Sequence, residues 1–176
     1  MKEKDFIQIL QCYRHDLMND LQVIQGYLSM DKIDKVKTKV NDTIESYNEE
    51  RKLVSLNTPE FILWVIQFNH LYDNIRLTYQ INIENMNLLA IDTLLVNQCK
   101  QIIKRIGELG VKAELYEVKL QLNLQSNSEV FIVISVDGVF DDKKYLIKDL
   151  EELKVKSSLI VKETEFGILC EFSYSV

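Results

Sequence analysis

From the first turns of the chain, apolar side chains recur at three- and four-residue steps. Phe6, Leu10, Tyr13, Leu17, Leu21, Ile24 and Leu28 share one stripe of a helix. Gly26 weakens that helix only slightly. After "SMDK" the pattern restarts with Ile33, Val36, Val40, Ile44 and Tyr47, Lys, Asp and Glu filling the positions between, and Ser29 or Asp31 is placed to cap the second arm. So short a connection makes the two arms antiparallel. One hairpin buries one seam and leaves apolar stripe over, so a second hairpin from another copy, giving a four-helix bundle, is the economical solution. The homodimer interface expected on this reading comprises Leu17, Leu21, Ile24, Leu28, Val36, Val40, Ile44 and Tyr47.

The texture changes at "SLNTPE", which sets two domains, 1–57 and 58–176. Thr58 as N-cap with Pro59 at the first helical position opens "PEFILWVIQFNHLYD", more apolar than either arm of the hairpin. The pattern then alternates. "LTYQINIE" reads as a strand, "IDTLLVNQCKQIIKRIGEL" as a helix ending near Gly110, and "ELYEVKLQLNLQ" as a strand with period-two apolar positions. "EVFIVISV" is a buried strand, "DDKKYLIKDLEEL" a short helix, and the C-terminal stretch a hairpin turning at Glu165 to Gly167. Consecutive strands late in the chain favour an antiparallel sheet with helices on one face, an α+β fold overall.

Composition narrows the function classes. A chain of 176 residues, 47% hydrophobic with one Pro and five Gly, has enough apolar material for an ordinary core. Its net charge of -6, with no Lys/Arg block, argues against nucleic-acid binding. The start "MKEKDFIQILQC" lacks a signal-peptide h-region and apolar runs such as "VFIVISV" are too short to span a bilayer, so the expectation is a cytoplasmic protein with no membrane partner. Cys12, Cys99 and Cys170, odd in number and widely spaced, fit reduced thiols better than a disulfide framework or a zinc site.

The chemistry centres on one histidine. His15 lies two residues before Leu17, about 200° around the helix axis from the middle of the apolar stripe. Gln11, His15, Asn19 and Gln22 fall along one polar row, so His15 faces solvent rather than the seam. By position alone, such a histidine is ordinarily a solvated side chain. A metal site is not indicated, because no His, Cys or acid stands at His15 plus four and His70 is isolated in the sequence.

The wider string is more specific. "RHDLMNDLQVIQGYLSM" resembles the phosphohistidine helix of the B-type sporulation initiation phosphotransferases of Gram-positive phosphorelays. It also resembles related histidine kinases, whose helix reads R-H-[DE]-x-x-N-x-L-x-x-I-x-G-x-L. The matches are Arg14, His15, Asp16, Asn19, Leu21, Ile24, Gly26 and Leu28, and Gln22 agrees with the phosphotransferase branch. A looser similarity runs over nearly the whole chain, through "LNTPEF" into a small α/β sandwich domain like a degenerate histidine-kinase ATPase domain.

The resemblance implies that His15 accepts a phosphoryl group from the aspartyl-phosphate of one response-regulator receiver domain and returns it to the aspartate of another. A neutral imidazole can attack phosphorus without a separate strong base. Arg14 would neutralise phosphoryl oxygens and Asp16 would orient the ring, while Asn19, Gln22 and Gln11 would meet the partner. No cofactor is implied on this chain, and Mg2+ would come with the receiver. Helix 92–109 has Asn97 but not the paired asparagines of the kinases. "VDGVFDD" keeps Asp137 and Gly138 without a second glycine, so nucleotide binding is not expected. Two other readings stand beside this one: an ATP-using histidine kinase with a degenerate nucleotide site, and a noncatalytic dimeric module that binds a receiver. Nucleotide binding distinguishes the first, and indifference to loss of His15 the second.

Overall fold

The computed structural model describes residues 3–83, 86–126, 128–153 and 159–176, with side chains described for all of these except 3–6, 8 and 126. The side chain of Phe6 in the apolar stripe, and Glu84, Ser157 and Ser158 of the strand readings, thus lie outside what is described. The chain divides into two compact units, Met1–Arg51 and Lys52–Val176.

The first unit is a helical hairpin. α1 (Glu3–Ser29) and α2 (Ile33–Ser55) are antiparallel arms joined by a tight turn. The turn is closed by backbone bonds from Met30, Asp31 and Lys32 to Gly26, Leu28 and Tyr27 carbonyls. Neither expected cap of α2 forms: Ser29 Oγ donates back to the Gln25 carbonyl, and Asp31 adopts a left-handed φ of 57° to reverse the chain. Across the seam Lys39 Nζ meets Asp20 Oδ1 at 2.6 Å, and the Tyr13 and Tyr47 rings pack edge to face at 6.1 Å. None of the described side chains from Ile7 to Arg51 is fully buried. Leu10, Leu21, Leu28 and Ile44 are each about half exposed (52%, 49%, 52% and 53%), far more open than side chains of a closed core.

At the far end of the same seam the Tyr13 hydroxyl donates to Glu50 Oε1 at 3.4 Å. Burial pushes the Glu50 carboxyl up from its usual range, partly offset by that hydrogen bond, and burial raises the Tyr13 hydroxyl as well. A carboxyl whose folded pKa lies above its unfolded value binds its proton more tightly in the folded state. The hairpin is therefore favoured while Glu50 is protonated and loses stability as pH rises from the unfolded value, about 4.3, through the raised folded one. Glu50→Gln keeps an acceptor for Tyr13 and removes the charge. Urea melts should show it gaining on the native protein between pH 4 and 7, by only a few tenths of a kcal/mol (~0.5) because solvent screens the site.

The second unit is a five-stranded sheet with helices on one face. α3 (Pro59–Leu71), β1 (Ile75–Asn82), α4 (Asp92–Leu109), β2 (Tyr116–Ser126), β3 (Glu129–Asp137), α5 (Lys143–Glu151), β4 (Ile160–Glu163) and β5 (Gly167–Ser175) follow in order, with a 3-10 turn at Leu89–Ile91. The strand order is β1-β2-β3-β5-β4. The sheet is mixed and not antiparallel throughout: β1 pairs with β2 in parallel, Ile75 opposite Tyr116, while the other three pairings are antiparallel. The reason is α4, a crossover helix that returns the chain to the end of the sheet from which it left. Along β2, β3 and β5 alternate residues are buried, among them Val118, Leu120, Ile132, Ile134, Cys170 and Phe172, against Phe61, Phe68, Ile102 and Leu150 of the helices. The opposite face carries polar rungs, including Gln121 Nε2 donating to Gln80 Oε1 at 3.0 Å and Asn82 Nδ2 to Asn123 Oδ1 at 2.8 Å.

Thr58 stands at the N-cap position of α3, but its side chain makes no cap. The carboxylate of Asp92 takes over, accepting from the backbone N–H of Glu60 and of Phe61, both at 2.9 Å, which ties the start of α4 to the start of α3. Cys99 and Cys170 are buried free thiols; burial raises both, Cys170 to about 12. Among the described residues no helix is long and apolar enough to cross a membrane, and no group of His, Cys, Asp and Glu is arranged to hold a metal ion.

Candidate functional site

Helical geometry puts His15 on the open side of α1, with its side chain 69% exposed. The structure gathers two of the expected neighbours around one ring nitrogen. Nδ1 lies 3.3 Å from Asp16 Oδ1 and 3.3 Å from Asn19 Nδ2, one turn further on. The two contacts favour opposite tautomers: the carboxylate wants a proton on Nδ1, the amide nitrogen wants a lone pair there. A charged acceptor outweighs a neutral donor, and an amide flip turns the Asn19 oxygen toward the ring, so the Nδ1–H form is the one this environment favours. That leaves the lone pair on Nε2, in a side chain that is mostly exposed. The imidazole is thereby oriented without being buried.

Arg14, Gln11 and Gln22 are exposed on either side and make no hydrogen bond to His15 among the described residues. One residue on this face escaped the sequence reading. Met18, one turn from His15, is 48% exposed, an apolar side chain beside a polar row; its place about 60° from His15 on the helical wheel was the available signal. Of the expected dimer-interface residues, Leu17, Ile24, Val36 and Val40 are half-buried, whereas Leu21, Leu28, Ile44 and Tyr47 are exposed.

In the sheet domain, Gly138 has a local explanation. The Tyr116 hydroxyl accepts from Val111 N at 2.7 Å and donates to the Val139 carbonyl at 2.6 Å, and its ring stacks on Phe140 at 4.8 Å. That ring occupies the space beside Gly138, whose φ is +154°; a Cβ there would fall 2.4 Å from the Tyr116 ring. Burial pushes the Tyr116 hydroxyl up. Asn97 is exposed on α4, and its neighbour Gln98 is buried and bonded to the Tyr174 hydroxyl.

Comparison with known proteins bears on the hairpin most directly. Residues 1–56 match the family described as sensor kinase SpoOB-type, alpha-helical domain. Sporulation initiation phosphotransferase B of Bacillus subtilis (strain 168) is 28% identical over 141 residues, covering 78% of this chain and 72% of that one. Among solved structures, the histidine kinase domain of the Erythrobacter litoralis EL346 blue-light activated histidine kinase superposes with a TM-score of 0.45 at 11% identity. The match covers 63% of this chain and 57% of that domain, so the chain spans little more than half of it. The catalytic domain of histidine kinase ThkA gives 0.45 at 13% identity, covering 70% of this chain and 92% of that one. Residues 1–56 thus match the SpoOB-type helical domain, and the chain as a whole is similar over most of its length to sporulation initiation phosphotransferase B.

Proposed function

We propose that this chain is a cytoplasmic histidine phosphotransferase of a phosphorelay, in which His15 carries a phosphoryl group between the receiver domains of two response regulators. The observation that supports it most is an exposed imidazole held at Nδ1 by Asp16 and Asn19, within a helix that matches the SpoOB-type domain. In the forward step the Nε2 lone pair attacks phosphorus of the donor's aspartyl-phosphate. The P–O bond to that aspartate breaks, the carboxylate leaves, and a phosphoramidate forms on His15. Positive charge developing on the ring is stabilised by Asp16 through Nδ1–H. The second receiver reverses these steps, its aspartate oxygen attacking phosphorus and the neutral imidazole leaving. Arg14 lies beside His15 to neutralise phosphoryl oxygens, no cofactor is needed on this chain, and Mg2+ belongs to the receiver. Incubation with a labelled phospho-receiver should transfer label to His15, located by mass spectrometry. The adduct should be lost in acid and survive base, as a phosphoramidate does and an acyl phosphate does not; label on any other side chain sinks the proposal.

On the same reading residues 1–57 are also the dimerisation module, and 58–176 a kinase-like domain without nucleotide. The half-exposed Leu10, Leu21, Leu28 and Ile44 support a second hairpin against the first, since covering the remaining half of each contributes about 1 kcal/mol. Leu21→Glu should convert a dimer to monomer in analytical ultracentrifugation by placing an unpaired charge in the bundle. A native protein that sediments as a monomer at micromolar concentration would count against the four-helix bundle.

A further inference from the structure

The sheet domain holds a pocket that the phosphotransfer reading leaves unused. It has a volume of about 560 Å³ and opens where β2 begins and β3 ends, beside the β4–β5 turn. That is the size of a ligand site. Its apolar wall is unusually open: Leu115, Val139 and Phe166 are 52%, 60% and 68% exposed, three large apolar side chains on one rim. Its remaining chemistry is mostly acidic, with Glu117, Asp137 and Glu165 in the lining.

Two of those carboxylates are held together by the sheet itself. Glu117 and Asp137 are directly opposite in the β2–β3 register, a like-charge cross-strand pair that costs stability. The next position in the row, on β5, is Gly167, where a Cβ would come within 1.8 Å of the Val136 carbonyl oxygen, so no side chain separates the pair from the turn. Two of the cations nearby are otherwise engaged. Arg76, opposite Glu117 on β1, donates from its guanidinium to the Tyr72 and Ile75 carbonyls, and Lys143 Nζ reaches the Thr164 carbonyl at 3.5 Å. Among the described residues no ion pair takes up Glu117, Asp137 or Glu165. Among the described residues these carboxylates do not form a group of three that could hold a metal ion. Phosphate-bearing ligands would meet repulsion here.

We infer that this pocket docks a segment of a partner protein presenting a basic side chain next to an apolar or aromatic one. The basic group lies over the Glu117–Asp137 pair and relieves its repulsion, while the apolar side chain covers Phe166, Val139 and Leu115. Arginine suits the role best, since its planar group bridges two carboxylates at once.

The test is an NMR titration of the isotope-labelled full chain with three probes: N-acetyl-phenylalanyl-arginine amide, the corresponding Phe-Glu amide and the Ala-Arg amide. The Phe-Arg probe should shift the amides of Leu115, Glu117, Val139 and Phe166 saturably and bind at least about tenfold more tightly than either of the others. In the double variant Glu117→Gln, Asp137→Asn the preference for Arg over Glu should vanish, and in Phe166→Ser all binding should weaken; both change exposed positions and leave the fold intact. Equal affinity for the Phe-Arg and Phe-Glu probes, or no saturable shift at these amides, overturns the proposal. Shifts of the same amides on simply concentrating the protein would also overturn it, by assigning the pocket to a second copy of the chain.

Discussion

His15→Ala should abolish transfer of label between two receivers while leaving the fold intact. Alanine is the best helix former and position 15 is exposed, so thermal and urea melts should move by less than about 0.5 kcal/mol. The nucleophile is gone, and no nearby group replaces it: Asp16 and Asn19 touch Nδ1, not the Nε2 at which the phosphoryl group would sit. Transfer should fall to the background seen without the protein. Asp16→Asn should be milder. It keeps an acceptor for Nδ1–H and loses the charge that supports a positive ring in the transition state, so the rate should drop by about tenfold without vanishing. Native-rate transfer by His15→Ala would exclude the proposed mechanism and favour a receiver-binding module; rapid label exchange by that variant with ATP present would point instead to another phosphorylated site.

These expectations rest on the part of the molecule that its sequence makes easiest to read. A helical stripe at three- and four-residue steps specifies both what a helix buries and what it presents. The solvent position of His15, its alignment with Asn19, and the hairpin itself thus follow from spacing alone. Strand identity in the second unit was legible for the same reason, through period-two burial along β2 and β3. Strand partners were not. Nothing in "LTYQINIE" states that β1 runs parallel to β2; that is decided by the crossover through α4, a tertiary matter. Caps failed in the same way. Thr58 has the local sequence of an N-cap, yet the donors at the start of α3 go to Asp92, whose charge makes it the stronger acceptor and whose distance in sequence hides it. The Glu117–Asp137 pairing was equally invisible, because like charges 20 positions apart signify nothing until a register sets them side by side.

Gly138→Ala should be strongly damaging to the sheet domain, costing about 3 kcal/mol or more in urea unfolding. Two effects act together. The residue's φ of +154° is a conformation that side chains other than hydrogen rarely adopt, and the added Cβ would meet the Tyr116 ring at 2.4 Å. The ring cannot step aside. Its hydroxyl is fixed at both ends by Val111 and Val139, Phe140 stacks against it, and Gly110 on its other flank leaves no room, a Cβ there lying 2.8 Å from the same hydroxyl. A double-mutant cycle separates the two effects. Tyr116→Val suits a strand and removes the ring atoms that crowd position 138, at a cost of its own of about 2–4 kcal/mol. In that background Gly138→Ala should retain only the backbone strain, about 1–2 kcal/mol, so the two changes should be coupled by at least about 1 kcal/mol. Strict additivity would mean that the cost of Gly138→Ala is backbone strain alone, independent of the Tyr116 ring. Coupling would mean that position 138 is restricted to glycine by the Tyr116 ring filling the space beside it as well as by its backbone.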